Sequence, residues 1–322
     1  MSVLNVAVWG LGNHAKSRIL PALSAMDEVK LVGLCSRNSK VVDECAKQWD
    51  CNGWNDPLHM LNSTKVDVVY ISTPISVHFS LAKQAIKAGK HIWCEKPLTC
   101  SYADTQTLVS LAKESGKVLT ESFMYLYHPQ FYRVKKFVND SKQIHSVVCR
   151  FGIPALDKPG FRNNSKLCGG ALWDVATYTT SAVLSLFPDQ QVDVLFSEVL
   201  TKETSSVDTE GRAVLRLSKG ITVYLEWGIG LAYKNEIDLW AEDGSFFTDK
   251  IFSKPKEYKP QYKIRDLNGI EYLEDGEQSE QFIEMFYNFI GIMSSEQKTA
   301  AERKIILQRA QLMNDIVNFN GV

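Results

Sequence analysis

In the first third of the chain, short apolar runs alternate with stretches in which apolar residues recur every three or four positions. "NVAVWG" opens as a β-rich run, glycines follow it, and "SRILPALSAM" carries helical spacing. "VKLVGLCS" and "VVDECAKQW" repeat the pair. "VDVVYIST" is apolar almost without interruption, the pattern of a strand covered on both faces. "SLAKQAIKAGK" and "DTQTLVSLAKESGK" read as amphipathic helices closed by Gly89 and Gly116. "HIWC" is a strand between them and "VLTESFMY" a strand after them. This alternation predicts a parallel sheet with right-handed crossovers and helices on both faces.

Past residue 125 the rhythm changes. "HSVVCRFGI", "QVDVLFSEVL", "GRAVLRL", "ITVYLEWGI" and "NEIDLWAEDGSFFT" are strand-like runs joined by short turns. "LSKGIT" and "AEDGSF" place Gly where a hairpin is tightest. A mostly antiparallel sheet is expected here. The chain closes on two helical patterns, "QFIEMFYNFI" and "TAAERKIILQRAQLMNDIVNF", the second opening with Thr299 and Glu302 at capping-box spacing.

Charge and cysteine content narrow the function classes. Lys and Arg number 36 against 37 Asp and Glu, so no net field draws the protein to nucleic acid or to an anionic membrane. No apolar run approaches bilayer length, and the N-terminal stretch has no basic region ahead of it, so neither a membrane span nor a signal peptide is expected. Seven cysteines, none in C-x-x-C or zinc-like spacing, read as free thiols in a reducing cytoplasm. Without H-x-H or H-E-x-x-H, no metal site is expected.

"VAVWGLGNHA" puts Gly10 and Gly12 directly after a strand and at the mouth of a helix, with Ala15 in third place. Gly10 permits a tight turn, Gly12 lets the backbone approach a pyrophosphate, and Ala15 allows close helix–strand packing. Gly10, Gly12, Asn13 and His14 are therefore candidate dinucleotide contacts. The second strand ends "LCSRNSK", with Ser36 and Arg37 where an NAD site would carry an acid. A hydroxyl and a guanidinium suit a 2′-phosphate, which favours NADP(H) over NAD(H).

Four motifs then occur in order: "GLGNHA", "ISTPISVH", "EKP" and "GGALWDVATY". Together they resemble the glucose–fructose oxidoreductase, inositol dehydrogenase and rhizopine-catabolism (Gfo/Idh/MocA) oxidoreductases over essentially the whole chain. "ESFMYLYHPQF" is similar to the branch with dimeric dihydrodiol dehydrogenase and sugar-nucleotide ketoreductases, although relatives often carry Arg at the position of Leu126. The resemblance implies an α/β protein with three parts. These are a Rossmann domain (1–122), an α+β domain with a large open-faced, mostly antiparallel sheet (123–295), and a last helix (296–322) packing back on the first domain. It also implies an active site in the crevice between the domains, and association as a homodimer or homotetramer through the open sheet.

The resemblance also implies site residues. Thr73, Pro74 and Glu95 would line the cofactor at strand ends, with Glu95 orienting the ribose or carboxamide, and His78 would either contact the cofactor or cap or line the helix after the fourth strand. Arg162 would clamp phosphate or carboxamide. Asp174 and Tyr178, four apart on one helix face, would meet the substrate; many relatives carry His at the position of Tyr178. A tyrosine near pKa 10 needs a neighbouring ammonium to exchange protons at neutral pH. Lys96 is the candidate, tuning Tyr178 as general acid/base, with Asp174 bonding a substrate hydroxyl or holding Lys96. Pro97 ends the strand and aims Lys96, and its peptide bond is a candidate cis bond. The expected activity is hydride transfer between NADP(H) and a sugar or sugar-nucleotide carbonyl or hydroxyl. The alternatives are a catalytically silent NADP sensor and a trans-dihydrodiol or pentose dehydrogenase. Tyr125, Phe161, Trp227 and Tyr233 are candidate pocket walls.

Overall fold

Six strands form an all-parallel sheet: β1 (Leu4–Trp9), β2 (Val29–Cys35), β3 (Asn52–Trp54), β4 (Val68–Ile71), β5 (His91–Glu95) and β6 (Leu119–Ser122). The structure, a computed structural model, describes residues 3–319. Strand order is β3-β2-β1-β4-β5-β6, so the winding reverses between β1 and β4. At such a reversal the connections leave in opposite directions and open a crevice outside the carboxyl ends of the strands. This sheet belongs to the first of two compact units, residues up to Ser122 together with Phe282–Leu307.

All four residues of β4 are buried, and alternate side chains serve two cores. Val69 and Ile71 join Ile92, Cys94, Ala82, Ala85, Leu108 and Ile306 in one apolar cluster. On the other side Phe286 meets Tyr70 and Trp93 at ring-centroid distances of 5.7 and 5.4 Å. The first helix, residues 13–24, widens to a π turn over Ala15–Ile19. Pro21 follows at once, and its missing N–H cannot close an ordinary turn onto Ser17. Two elements carry no periodic signal in the sequence: β3, three residues with two of them exposed, and the one-and-a-half-turn helix Pro57–Asn62.

The second unit comprises Phe123–Gln281 and the residues from Gln308 onward. Its strands are β7 (Ile144–Ile153), β8 (Val192–Leu200), β9 (Glu210–Leu217), β10 (Thr222–Ile229), β11 (Lys234–Ala241), β12 (Gly244–Asp249), β13 (Gln261–Asp266) and β14 (Glu271–Asp275). They run in the order β14-β13-β12-β11-β7-β10-β9-β8, antiparallel except for β7 beside β10. One face is apolar: Val147, Cys149, Leu225, Ile237 and Leu239 are fully buried. The other presents Tyr224, Trp240 and charged side chains to solvent. The helix Pro129–Asp140 and the strands β13 and β14 are further elements that go unpredicted, although Phe131, Val134 and Phe137 keep helical spacing and Tyr262 and Ile264 alternate with polar residues.

Two local expectations need correction. The last helix begins at Glu296, not at Thr299. Thr299 is buried and its hydroxyl donates back to the Ile292 carbonyl at 2.9 Å, while Ser295 accepts from the Lys298 amide at 3.4 Å. Of the cysteines, Cys35, Cys45, Cys51, Cys94 and Cys149 are free thiols, but Cys100 and Cys168 are disulfide-bonded. No helix among the described residues is long and apolar enough to cross a membrane.

Candidate active site

Gly10 sits at φ +109°, and its amide donates to the Cys35 carbonyl at 2.9 Å, which ties the glycine turn to the end of β2. A Cβ on Gly10 would lie 2.4 Å from the Ser72 carbonyl oxygen, so only glycine lets the turn and the end of β4 touch. Gly12 is the opposite case: its missing Cβ faces open space. Beside the turn, the Thr73 hydroxyl oxygen is buried with no hydrogen-bond partner. An open glycine backbone, a helix entrance and an orphaned buried hydroxyl are what a dinucleotide would occupy and satisfy, so these residues fit the cofactor.

At the end of β2, Ser36 accepts from the Asn38 amide at 3.4 Å and Arg37 is exposed. The Cys35 thiol is pushed up to about 12 by burial and then by the charge of Asp56. That carboxylate is already engaged, capping the helix Pro57–Asn62 through the Leu58 amide at 2.8 Å.

At the end of β5, Glu95 is the centre of a chain. Its Oε1 accepts from the Tyr70 hydroxyl at 2.5 Å and lies 2.9 Å from His14 Nε2. Phe282 backs the His14 ring at 5.5 Å. Burial by itself would push the Glu95 carboxyl up, but His14, the Tyr70 hydroxyl and the neighbouring Lys96 together hold it below its ordinary 4.5. Burial, then the Glu95 charge, push the Tyr70 phenol well above its own ordinary value, so Tyr70 stays the donor. A carboxyl lowered on folding adds stability above its unfolded pKa and loses it as pH falls through the folded value. Glu95→Gln should therefore lower the melting temperature at pH 7, with the difference from the parent shrinking as pH falls below 4.5 toward the lower folded value. Thermal melts at pH 7, 4 and 3 check this, and a difference independent of pH would refute it.

Lys96 is half-buried and the Lys96–Pro97 bond is cis. His78, expected as a cofactor contact, is fully buried. Its Nδ1 lies 3.0 Å from the Pro97 carbonyl oxygen and its Nε2 2.9 Å from that of Thr73. With both nitrogens engaged by backbone, the ring supports the loops rather than touching a ligand. Glu121 accepts from the Leu98 amide at 2.8 Å on the other flank of the turn.

The second unit holds the remaining residues. Asp174 and Tyr178 share the helix over residues 171–186, whose first turns are π-helical over Leu172–Ala176. Arg162 Nε donates to Asp174 Oδ2 at 2.5 Å, and its guanidinium lies over the Phe161 ring at 4.9 Å. Tyr178 is 9% exposed, walled by Phe123 and Phe151 at 5.9 and 5.2 Å, with its hydroxyl 4.0 Å from Met124 Sδ. Asp208 fixes the start of this helix, accepting from the Leu172 amide at 2.6 Å. A Cβ on Gly170 would lie 2.0 Å from Asp208 Oδ1 and one on Gly169 2.5 Å from the Phe161 carbonyl oxygen, which explains the two glycines of "GGALWD". Tyr125 is core, its hydroxyl donating to the Tyr178 carbonyl at 3.1 Å and lying 2.6 Å from the Ser181 hydroxyl.

The structure thus joins Gly10 to Thr73, His14 to Glu95, His78 to Thr73, and Arg162 to Asp174. Ser36 and Arg37 stand apart from these bonds. Tyr70, Glu121 and Asp208 escape sequence reasoning. An acid inside the apolar run "VLTESF" is a signal for Glu121; Asp208 lies in a polar loop with none.

Comparison with known proteins places the same two halves. A family model for oxidoreductases with an NAD-binding Rossmann fold matches residues 4–123, and one for the GFO/IDH/MocA C-terminal domain matches residues 133–247. The dTDP-3,4-didehydro-2,6-dideoxy-alpha-D-glucose 3-reductase of Streptomyces violaceoruber is 30% identical over 83% of this chain and 79% of its own. The scyllo-inositol 2-dehydrogenase (NADP(+)) IolU of Bacillus subtilis is 25% identical over 80% of each. Among solved structures, KijD10, a 3-ketoreductase from Actinomadura kijaniata in complex with NADP and TDP-benzene, superposes with TM-score 0.90. It is 25% identical and covers 98% of this chain and 97% of that one.

Proposed function

The chain belongs to the GFO/IDH/MocA oxidoreductase family, and from that premise we propose that it is an NADP-dependent reductase of a keto-sugar, with a sugar nucleotide as the first substrate to try. The observation that carries the reading is the nucleotide end of the first unit. Gly10 is locked against Ser72, Gly12 is open, and the exposed Arg37 replaces the acid of an NAD site. The relatives named above supply the substrate class. When bound, the cofactor supplies the hydride. Gly12 and the helix entrance would hold its pyrophosphate, Thr73 would satisfy its buried hydroxyl there, and Ser36 and Arg37 would grip the 2′-phosphate. Tyr178 gives its proton to the developing alkoxide, Lys96 assists by favouring the phenolate, and Asp174, steadied by Arg162, receives a substrate hydroxyl.

Steady-state kinetics with NADPH and NADH test the cofactor end. Arg37→Ala should cut the preference for NADPH by about tenfold to a hundredfold, the range of a charge-assisted hydrogen bond. An unchanged ratio of the two specificity constants would sink the assignment.

The open sheet face supports association with a second copy. Across five neighbouring strands, β11-β7-β10-β9-β8, the register aligns Glu236, Arg150, Glu226, Arg212 and Glu198 in one row of alternating charge. Arg150 pairs with Glu226 and with Glu236, and Arg212 with Glu198. The next row is Asp238, Val148, Tyr224, Val214 and Phe196, apolar and partly exposed on every strand except β11, where Asp238 ends it. A second copy can bury the apolar row and meet the charges of the first. Sedimentation should find a dimer or tetramer for the parent and a monomer for Tyr224→Lys combined with Trp240→Glu; a monomeric parent at micromolar concentration would rule this out.

A further inference from the structure

We propose that His78 is a positioning residue for Lys96, holding the turn that carries it against the loop that abuts the glycine turn. This rests on the reading of Lys96 as the assistant of the general acid. The ring lies between two backbone carbonyls, Thr73 at the end of β4 and Pro97 one residue beyond Lys96. Thr73 and Ser72 are in turn the residues pressed against Gly10. One side chain therefore spans the loops at the ends of β4 and β5, and the first of these touches the loop after β1. From the far flank, Glu121 holds the Leu98 amide at 2.8 Å. The two braces hold Pro97 and Leu98, the residues that follow Lys96, from opposite flanks.

The chemistry of the contact is specific to an imidazole. Both partners only accept, so each bond needs an N–H from the ring. Burial lowers the His78 pKa, the two carbonyl contacts working against that shift. Either tautomer of the neutral ring donates to one of the two carbonyls, and the protonated ring to both; an aliphatic residue would donate to neither. Full burial with no exposed atom separates this role from ligand contact.

The test compares His78→Leu, His78→Gln and Lys96→Met in the full-length enzyme, with kcat, KM for a nucleotide keto-sugar, NADPH affinity and the pH profile of kcat. His78→Leu should lose about tenfold to a hundredfold in kcat, the scale of an orienting group displaced by about 1 Å. KM and NADPH affinity should stay within about threefold, and the pH limb assigned to Tyr178 should move up because Lys96 no longer favours the phenolate. His78→Gln, whose amide donates to one carbonyl, should recover part of kcat and of the pH shift. Should His78→Leu fail to fold, the Gln variant alone decides the matter, with an intermediate kcat and a displaced limb. If both variants keep the parent kcat and pH profile while Lys96→Met is inactive, His78 does not position Lys96. If Lys96→Met itself keeps parent turnover, it is the reading of Lys96 that falls.

Discussion

Tyr178→Phe should lower kcat for keto-sugar reduction by about 10²–10⁴-fold, the usual contribution of a positioned general acid. The substitution keeps the ring, and with it the edge-on contacts to Phe151 and Phe123 at 5.2 and 5.9 Å. Folding should therefore hold, and the melting temperature should move little. NADPH affinity should also hold, because the glycine turn and Arg37 belong to the other unit. Lys96→Met should lose a similar factor for a different reason. On the role proposed for Lys96, removing the ammonium leaves the phenol a weaker proton donor to the developing alkoxide. The pair is separable by pH in the reverse, alcohol-oxidising direction, where Tyr178 must take up a proton: raising the pH should recover part of the Lys96→Met rate and none of the Tyr178→Phe rate. Single-turnover rates across pH 6–10 measure this, and parent-like kcat in Tyr178→Phe would end the assignment.

Gly10→Ala should unfold or cripple the nucleotide-binding unit. The new methyl would stand 2.4 Å from the Ser72 carbonyl oxygen and 2.9 Å from Thr73 Cγ2, on a backbone at φ +109°. Neither the Ser72 carbonyl nor the turn can retreat freely, since the Ser72 amide donates to Trp9 at 2.8 Å and the Gly10 amide to Cys35 at 2.9 Å. Positive-φ strain and overpacking together cost on the order of 3 kcal/mol, a fall of roughly 6–12 °C in melting temperature. NADPH binding should be lost even at temperatures where the fold persists, because the turn must open to relieve the clash. Calorimetry and fluorescence titration check both halves. A variant that melts and binds like its parent would show that the turn is looser than its geometry.

How much of this is legible without coordinates depends on the range of the forces. Gly10, Gly12, Ser36 and Arg37 are readable because their roles follow from a strand, a turn and a helix adjacent in sequence. The parallel sheet is readable from the continuous apolar run of β4, and the second sheet from the alternating apolar positions of β7, β9, β10 and β11. The strands β13 and β14 go unpredicted because they are short and lie in a polar stretch, although Tyr262 and Ile264 do alternate with polar neighbours. The start of the last helix is misread because Ser295 caps it, while Thr299 bonds backward to Ile292.

The sequence by itself determines the two architectures, the nucleotide turn and the residue types that do the chemistry, since each is written in local spacing. Tertiary structure alone decides what holds them. Arg162 reaches Asp174 across 12 residues, and Glu95 meets Tyr70 across 25 and His14 across 81. His78 braces Pro97 19 residues away, and Glu121 braces Leu98 from 23. Those contacts pair side chains with one another or with backbone carbonyls and amides, which every residue carries and no motif can mark. Burial selects them: inside a core each polar group must find a partner, and which partner comes within reach is a property of the packed strands.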